Sequence, residues 1–246
     1  TGEQTGQGQL EGDGQESTAG TCTQITGSFQ QAHVHLCHDG VDGHHHVGEV
    51  VIYHTDYNGC FDGNRNLERI TVAEDHPMYC TDDQGALYSK DMSTLILVPA
   101  GCIGSFVIPD SVVTVEGCAL RNCDLLTAVQ IPDSVTDLGE MAFYECALLN
   151  NVVIPESVTR IPDSAFAWGP GLSNILLPET LTAIGESACY GCTNLKQLAV
   201  PGSVTELGAR GFGNSGLQTV VFRGNAPSFP ESSAFNILKS SFMGRF

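Results

Sequence analysis

Residues 131–155 read IPDSVTDLGEMAFYECALLNNVVIP, and this stretch contains one full period of a pattern that recurs along the chain. Its opening motif returns as VIPDS at 107–111, VIPES at 153–157, LLPET at 176–180 and AVPGS at 199–203. The proline of the motif stands at positions 109, 132, 155, 178 and 201, a constant step of 23 residues. Such a period indicates one small unit stacked on copies of itself, because a single unit cannot bury its apolar face alone. The sequence therefore predicts a solenoid.

Apolar residues occupy fixed positions in every unit. The third residue after each proline is Val112, Val135, Val158, Leu181 or Val204, and the sixth is Val115, Leu138, Ile161, Ile184 or Leu207. The end of each unit alternates apolar and other residues, which is the pattern of a short β-strand with one buried face. We expect short parallel strands at the 23-residue period, with 3₁₀, turn or short helical segments on the other side. The predicted class is α/β to mostly β, with an irregular N-terminal cap.

These units resemble the BspA-like, or Treponema pallidum-type, leucine-rich repeat. The resemblance is carried by residues 131–155, by VIPESVTRIPDSAF at 153–166, by a segment at 72–101 that is similar to the family's inserted hairpin, and by the terminal-type segment FRGNAPSFPESSAF at 222–235. It covers about residues 58–236. The resemblance implies a leucine-rich-repeat solenoid used for adhesion or protein binding, often secreted or at a cell surface. It implies no catalytic residues.

Composition and repeat spacing divide the chain into five segments. These are a Gly/Gln-rich tail or linker (1–20), a His/Cys-rich N-terminal cap (21–57), a first repeat with an inserted hairpin (58–105), the regular leucine-rich repeats (106–222) and a C-terminal cap or tail (223–246).

The charge of the chain narrows the classes of partner. Asp and Glu number 28 against 10 Lys and Arg, so the formal charge is −18. This charge would repel nucleic-acid phosphates and anionic lipid surfaces, so we expect neither as a partner. No apolar run approaches the roughly 20 residues that span a bilayer, so we expect no membrane insertion. The partner is then another protein or copies of the chain itself.

The sequence offers little for catalysis. It contains no phosphate-cradling Gly-rich loop, no G-x-S-x-G elbow and no recognisable pair of carboxylates. A C-x-x-C pair, Cys189 and Cys192, falls on interior columns of the repeat, which favours a structural role over a redox site. We therefore expect no enzyme activity and no cofactor.

The ten cysteines are an even number, which permits disulfides. Half of them lie in the loop-rich segment before the regular repeats. A covalent link would add most stability in that segment. This pattern predicts an extracellular or cell-surface protein, or one in the lumen of an oxidising compartment. The alternative is that several cysteines are small buried hydrophobic residues in a reduced protein.

Seven of the eight histidines lie between residues 33 and 54. Such a density of imidazoles can bind zinc or copper, and the candidate ligands are His33, His35, His38, His44 and His46. The spacing fits no standard zinc motif, and a solvated His-rich loop needs no metal. A metal-binding protein is thus one alternative function.

One column of the predicted strands should point away from the core. It contains Gln130, Val153, Leu176, Ala199 and Val221, and all but the first are apolar. A contiguous exposed apolar row marks a binding surface more often than scattered apolar residues do. The alternatives are that a terminal segment covers the row, or that β-propensity alone selected these residues. We predict a non-enzymatic protein-binding or adhesion module that uses this face; a structural or accessory subunit of a larger assembly is the other alternative.

Overall fold

The computed structural model describes residues 65–225 in full, together with the backbone of three earlier strands. These strands are β1 (Cys22–Gln24), β2 (Val34–His38) and β3 (Val47–Ile52). The predicted tail at 1–20 and residues 226–246 lie outside the described residues.

The described structure begins with a small sheet that is followed by antiparallel hairpin strands. β4 (Arg69–Val72) pairs in parallel with β3, and β3 pairs antiparallel with β2, which pairs antiparallel with β1. β5 (Tyr79–Thr81), β6 (Leu87–Ser89) and β7 (Thr94–Leu97) follow as antiparallel neighbours. β7 then pairs in parallel with β9 (Thr114–Val115), so the hairpin strands join the end of the regular repeats.

Two rows of short parallel strands run along the repeats. The first row contains β8 (Gly104–Val107), β10 (Leu126–Gln130), β12 (Asn151–Val153), β14 (Asn174–Leu176), β16 (Gln197–Val200) and β18 (Thr219–Phe222). The second row contains β9, β11 (Asp137–Leu138), β13 (Arg160–Ile161), β15 (Ala183–Ile184) and β17 (Glu206–Leu207). Each coil supplies one strand to each row. The stacked parallel strands that the 23-residue period predicts are confirmed.

One continuous apolar core fills the space between the two rows. The residues three and six positions after each motif proline are all buried, as are the leucines that precede the first-row strands. Phe143 and Phe166, from successive coils, stack with ring centroids 5.0 Å apart. Because equivalent side chains recur in every coil, each layer of the core packs on the next, and this burial is the main term that stabilises the solenoid.

Backbone hydrogen bonds also tie each coil to the next. The N–H of Phe143 donates to the carbonyl of Ala165, and the N–H of Phe166 donates to that of Ala188, both at 2.8 Å. A bond of the same kind joins Leu120 to Ala142 at 2.8 Å. The buried polar backbone of the turns is therefore paired between coils, as burial requires.

Pro162 interrupts this pairing in the second row. The equivalent residues Gly139, Gly185 and Gly208 each donate an N–H to the coil before them, at 2.7 to 2.8 Å. Proline has no N–H to donate. Among the described residues the second row accordingly divides into two sheets, with the break between β11 and β13.

The segments that lead from the second row back to the first are turns. Residues 65–225 contain no helix, so the helical alternative in the sequence prediction is not confirmed. Backbone angles explain the difference. The ninth and thirteenth residues after each motif proline have positive φ, as at Met141 and Glu145, both at 58°. A right-handed helix needs negative φ at successive residues, so two left-handed residues four positions apart end any helical run.

A column of buried cysteines lines the core beneath these turns. Cys123, Cys146 and Cys192 occupy the same position in three units. The Cys146 thiol donates to the carbonyl of Leu120 at 3.0 Å, and the Cys192 thiol donates to that of Phe166 at 3.1 Å. Burial raises the pKa of the Cys146 thiol to about 12. These thiols therefore act as small apolar side chains that also satisfy a carbonyl.

The seven cysteines within residues 65–225 are free thiols. The disulfides that the even cysteine count predicts are therefore not found among them. Cys60 lies outside the described residues, and only the backbone is described at Cys22 and Cys37.

Two adjacent residues of β12 test which side chains face the core. Val152 is 1% exposed and Val153 is 58% exposed. We expect Val152→Ala to lower the free energy of unfolding by about 2 kcal/mol, because it removes buried methyl groups and leaves a cavity. Val153→Ala should change it by less than about 0.5 kcal/mol. Guanidinium denaturation followed by circular dichroism measures both, and equal effects would contradict the assigned faces.

Alkylation tests the burial of the cysteine column. A thiol reacts as its thiolate, so burial that raises the pKa of Cys123 and Cys146 should block reaction. We expect iodoacetamide at pH 8 to leave both residues unmodified in the folded protein and to modify both in guanidinium. Peptide mass spectrometry reads out each site. Complete labelling of Cys146 in the folded protein would show that the column is open to solvent.

Candidate binding surface

The sequence-predicted surface residues lie in one row on the first-row strands. Val153 pairs in register with Leu176, and Ala199 pairs with Val221. All four are exposed, as is Gln130 on β10. Val153, Leu176 and Val221 are 58%, 53% and 52% exposed, which is high for large apolar side chains. We call this row the apolar column.

Strand geometry explains why these residues face outward. Successive side chains of a strand point to opposite faces. Val152, Ile175 and Leu198 point inward and are buried, so the next residue on each strand points to solvent. The apolar column is thus a direct result of the same alternation that builds the core.

Val107 is a further exposed apolar residue of the same row, and Gln130 separates it from Val153. It is 46% exposed and lies opposite Gln130 on the neighbouring strand. The sequence interpretation missed it, although Val107 opens the VIPDS motif at the same position that Val153 occupies in VIPES.

A second exposed column accompanies the apolar one on the same face. Two residues earlier on β12, β14, β16 and β18 lie Asn151, Asn174, Gln197 and Thr219, all exposed, whereas Ala128 holds this position on β10. We call this row the amide column. Its side chains both donate and accept hydrogen bonds, and none carries a charge. The sequence interpretation missed these residues as well, although Asn151, Asn174 and Gln197 recur at the 23-residue period.

The face contains an opening between β14 and β16. Within residues 65–225 no strand pairing joins these two strands, whereas β14 pairs with β12 and β16 pairs with β18. An open recess of about 260 Å³ lies there and extends to β18, lined by Asn174, Leu176, Gln197, Ala199, Thr219 and Val221 among others. Ala199, which lies at this opening, has the smallest side chain of the apolar column.

Carboxylates border the face on the side of the motif prolines. The residue after the proline is Asp110, Asp133, Glu156 or Glu179 in four successive units, and all four are exposed. Glu179 pairs with Arg223 at 2.7 Å, and Arg223 also lines the opening. The other three have no ion pair within residues 65–225. The border of the face is therefore negatively charged.

The other sequence candidates do not form a reactive site in the described structure. Cys189 and Cys192 are buried, as the repeat register predicts, and the pKa of the Cys189 thiol is raised by its hydrogen bond with Cys192 and by burial. Residues 65–225 contain no group of three His, Cys, Asp or Glu that could hold a metal ion. His33, His44 and His46 lie outside the described residues, and only the backbone of β2 is described at His35 and His38.

Residues 65–225 contain no helix of the length and apolar character that a bilayer crossing requires.

Comparison with known proteins places the repeats in a family. The family described as the BspA type leucine rich repeat region matches residues 100–238 in six copies. A comparison with curated proteins found no match.

Solved structures of bacterial leucine-rich repeat proteins are similar to this chain. A leucine-rich cell surface protein from Faecalibacterium prausnitzii is 29% identical, with a TM-score of 0.65, over 73% of this chain and 48% of that one. A leucine-rich repeat protein from T. pallidum is 23% identical, with a TM-score of 0.49, over 61% and 79% of the two chains. One from Bacteroides ovatus is 28% identical, with a TM-score of 0.46, over 58% and 39%.

This chain spans about half of the F. prausnitzii protein, 48% of its length. The family match covers more than half of this chain and agrees with the 23-residue coils, the two rows of parallel strands and the buried columns. The chain belongs to the BspA-type leucine-rich repeat family.

Proposed function

We propose that this chain is a non-enzymatic protein-binding module that holds its partner on the exposed face of the first-row strands. Leucine-rich repeat proteins of this kind generally bind other proteins. The observation that carries the proposal is the apolar column, in which Val153, Leu176 and Val221 are each more than half exposed. Single exposed apolar residues are common on protein surfaces, but a contiguous row of them marks an interaction site.

The proposed location of the chain and its partner is outside the cell or at the cell surface. The F. prausnitzii relative is described as a cell surface protein, and this supports an extracellular or cell-surface location for the chain. The negative border of the face favours a partner with complementary positive charge.

Two alternatives from the sequence have no supporting observation. A metal-binding role rests on His33, His44, His46 and their neighbours, whose side chains are not described. A role as a structural subunit rests on no described surface other than the one proposed here for a partner. Both stay predictions.

A matched pair of substitutions tests the proposed surface. Leu176 is 53% exposed in the apolar column, whereas Leu148 is 50% exposed on a turn away from it. Leu176→Glu should abolish capture of partner proteins from surface extracts, because it places a charge in the apolar contact. Leu148→Glu should leave capture unchanged. Quantitative mass spectrometry of the captured proteins measures both.

Circular dichroism and thermal unfolding control for misfolding, since both substitutions lie on the surface and should leave the fold intact. If the wild type, Leu176→Glu and Leu148→Glu capture the same proteins in the same amounts, the apolar column is not the binding surface.

A further inference from the structure

We infer that the opening between β14 and β16 is an anchor site, which receives one uncharged apolar side chain from a partner protein that carries Lys or Arg beside it. This inference rests on the proposed function and adds the partner's chemistry to it. The opening is the place where the apolar column, the amide column and the missing strand pairing coincide.

The geometry of the opening suits a single side chain. Leu176 and Val221 stand on either side of Ala199 in the apolar column, and the alanine leaves a recess between the two larger side chains. The cavity of about 260 Å³ lies below the range of about 300 to 1,000 Å³ that is usual for whole small-molecule ligands. It has room for a leucine-sized or phenylalanine-sized side chain together with part of the backbone that carries it.

The lining of the opening selects an uncharged apolar group. It is lined by the apolar side chains of Leu176, Ala199 and Val221 and by the uncharged polar side chains of Asn174, Gln197 and Thr219. Burying a charged group against such side chains would carry an uncompensated desolvation cost. The amides can instead hydrogen-bond to the peptide backbone on either side of the inserted side chain.

Arg223 does not make the opening a site for anions. Its guanidinium group pairs with the Glu179 carboxylate at 2.7 Å, so its charge is already compensated within the chain. The pair is exposed on both sides, with side-chain exposures of 59% and 60%. It therefore forms part of the rim.

The negative charge around the opening predicts basic residues beside the partner's inserted side chain. Asp133 and Glu156 are exposed and have no ion pair within residues 65–225, and the whole chain carries −18. Basic residues beside the anchor would meet these carboxylates. A second copy of the chain would bring its own negative border to the contact, and like charges across an interface are unfavourable. The occupant is therefore a different protein with a basic flank.

A random-peptide display library tests the anchor directly. We expect selection on the folded chain to enrich peptides in which Leu, Met or Phe lies beside Lys or Arg. Ala199→Leu should lower binding of the enriched peptides at least tenfold, because the larger side chain fills the recess. Thr136→Leu is the control, since it also introduces a leucine at an exposed position, but beside the second-row strand β11, and it should leave binding unchanged. Fluorescence anisotropy with synthetic labelled peptides measures the affinities.

The outcomes separate this inference from the proposed function. Peptides that lose binding with Leu176→Glu but bind Ala199→Leu normally would show that the face binds without the anchor, which overturns the inference alone. Enriched peptides without basic residues would overturn the inference that the partner carries Lys or Arg beside the anchor. If no peptides are enriched, the anchor site itself is overturned. In both cases the protein-capture experiment still decides the proposed function. Binding that resists both substitutions would contradict both. Circular dichroism of every variant confirms folding.

Discussion

The structure depends on one constraint: a single 23-residue coil cannot bury its own apolar side chains. Each coil has two short strands and a set of turns, which is too little to enclose Val135, Leu138 and Phe143 without neighbours. Stacking solves the problem because equivalent side chains then lie in contact, as the stacked rings of Phe143 and Phe166 show. The hydrogen bonds between coils follow from the same alignment, since equivalent backbone groups of successive coils lie next to each other.

The exposed face of the first-row strands is a consequence of this packing. Strand alternation that buries Val152, Ile175 and Leu198 must turn the residues beside them to solvent. Val153 and Leu176 on this face are apolar and exposed. The repeat thus places one column of outward residues at the spacing of the core residues. The column is irregular at the opening between β14 and β16, where the strands are unpaired and the outward residue is Ala199.

Much of this architecture could be predicted from the sequence, because burial and strand alternation require apolar residues at fixed positions of every repeat. The inward columns, the outward column and the interior position of Cys192 were all readable from the spacing. The turns were less readable, since residues such as Met141 and Glu145 adopt positive φ although neither type favours it. The opening between β14 and β16 was not predictable, because missing strand pairing depends on the relative placement of whole coils and leaves no residue pattern.

Hydrogen exchange at two backbone amides tests the central claim that regular coil-to-coil pairing surrounds a local opening. Asn174 and Gln197 hold equivalent positions on β14 and β16, and both side chains are exposed. The amide of Asn174 donates to the carbonyl of Asn150 at 3.2 Å, whereas within residues 65–225 no backbone pairing joins Gln197 to the coil before it. The account predicts slow exchange at Asn174 and fast exchange at Gln197, measured by NMR. Equal protection of the two amides would contradict it.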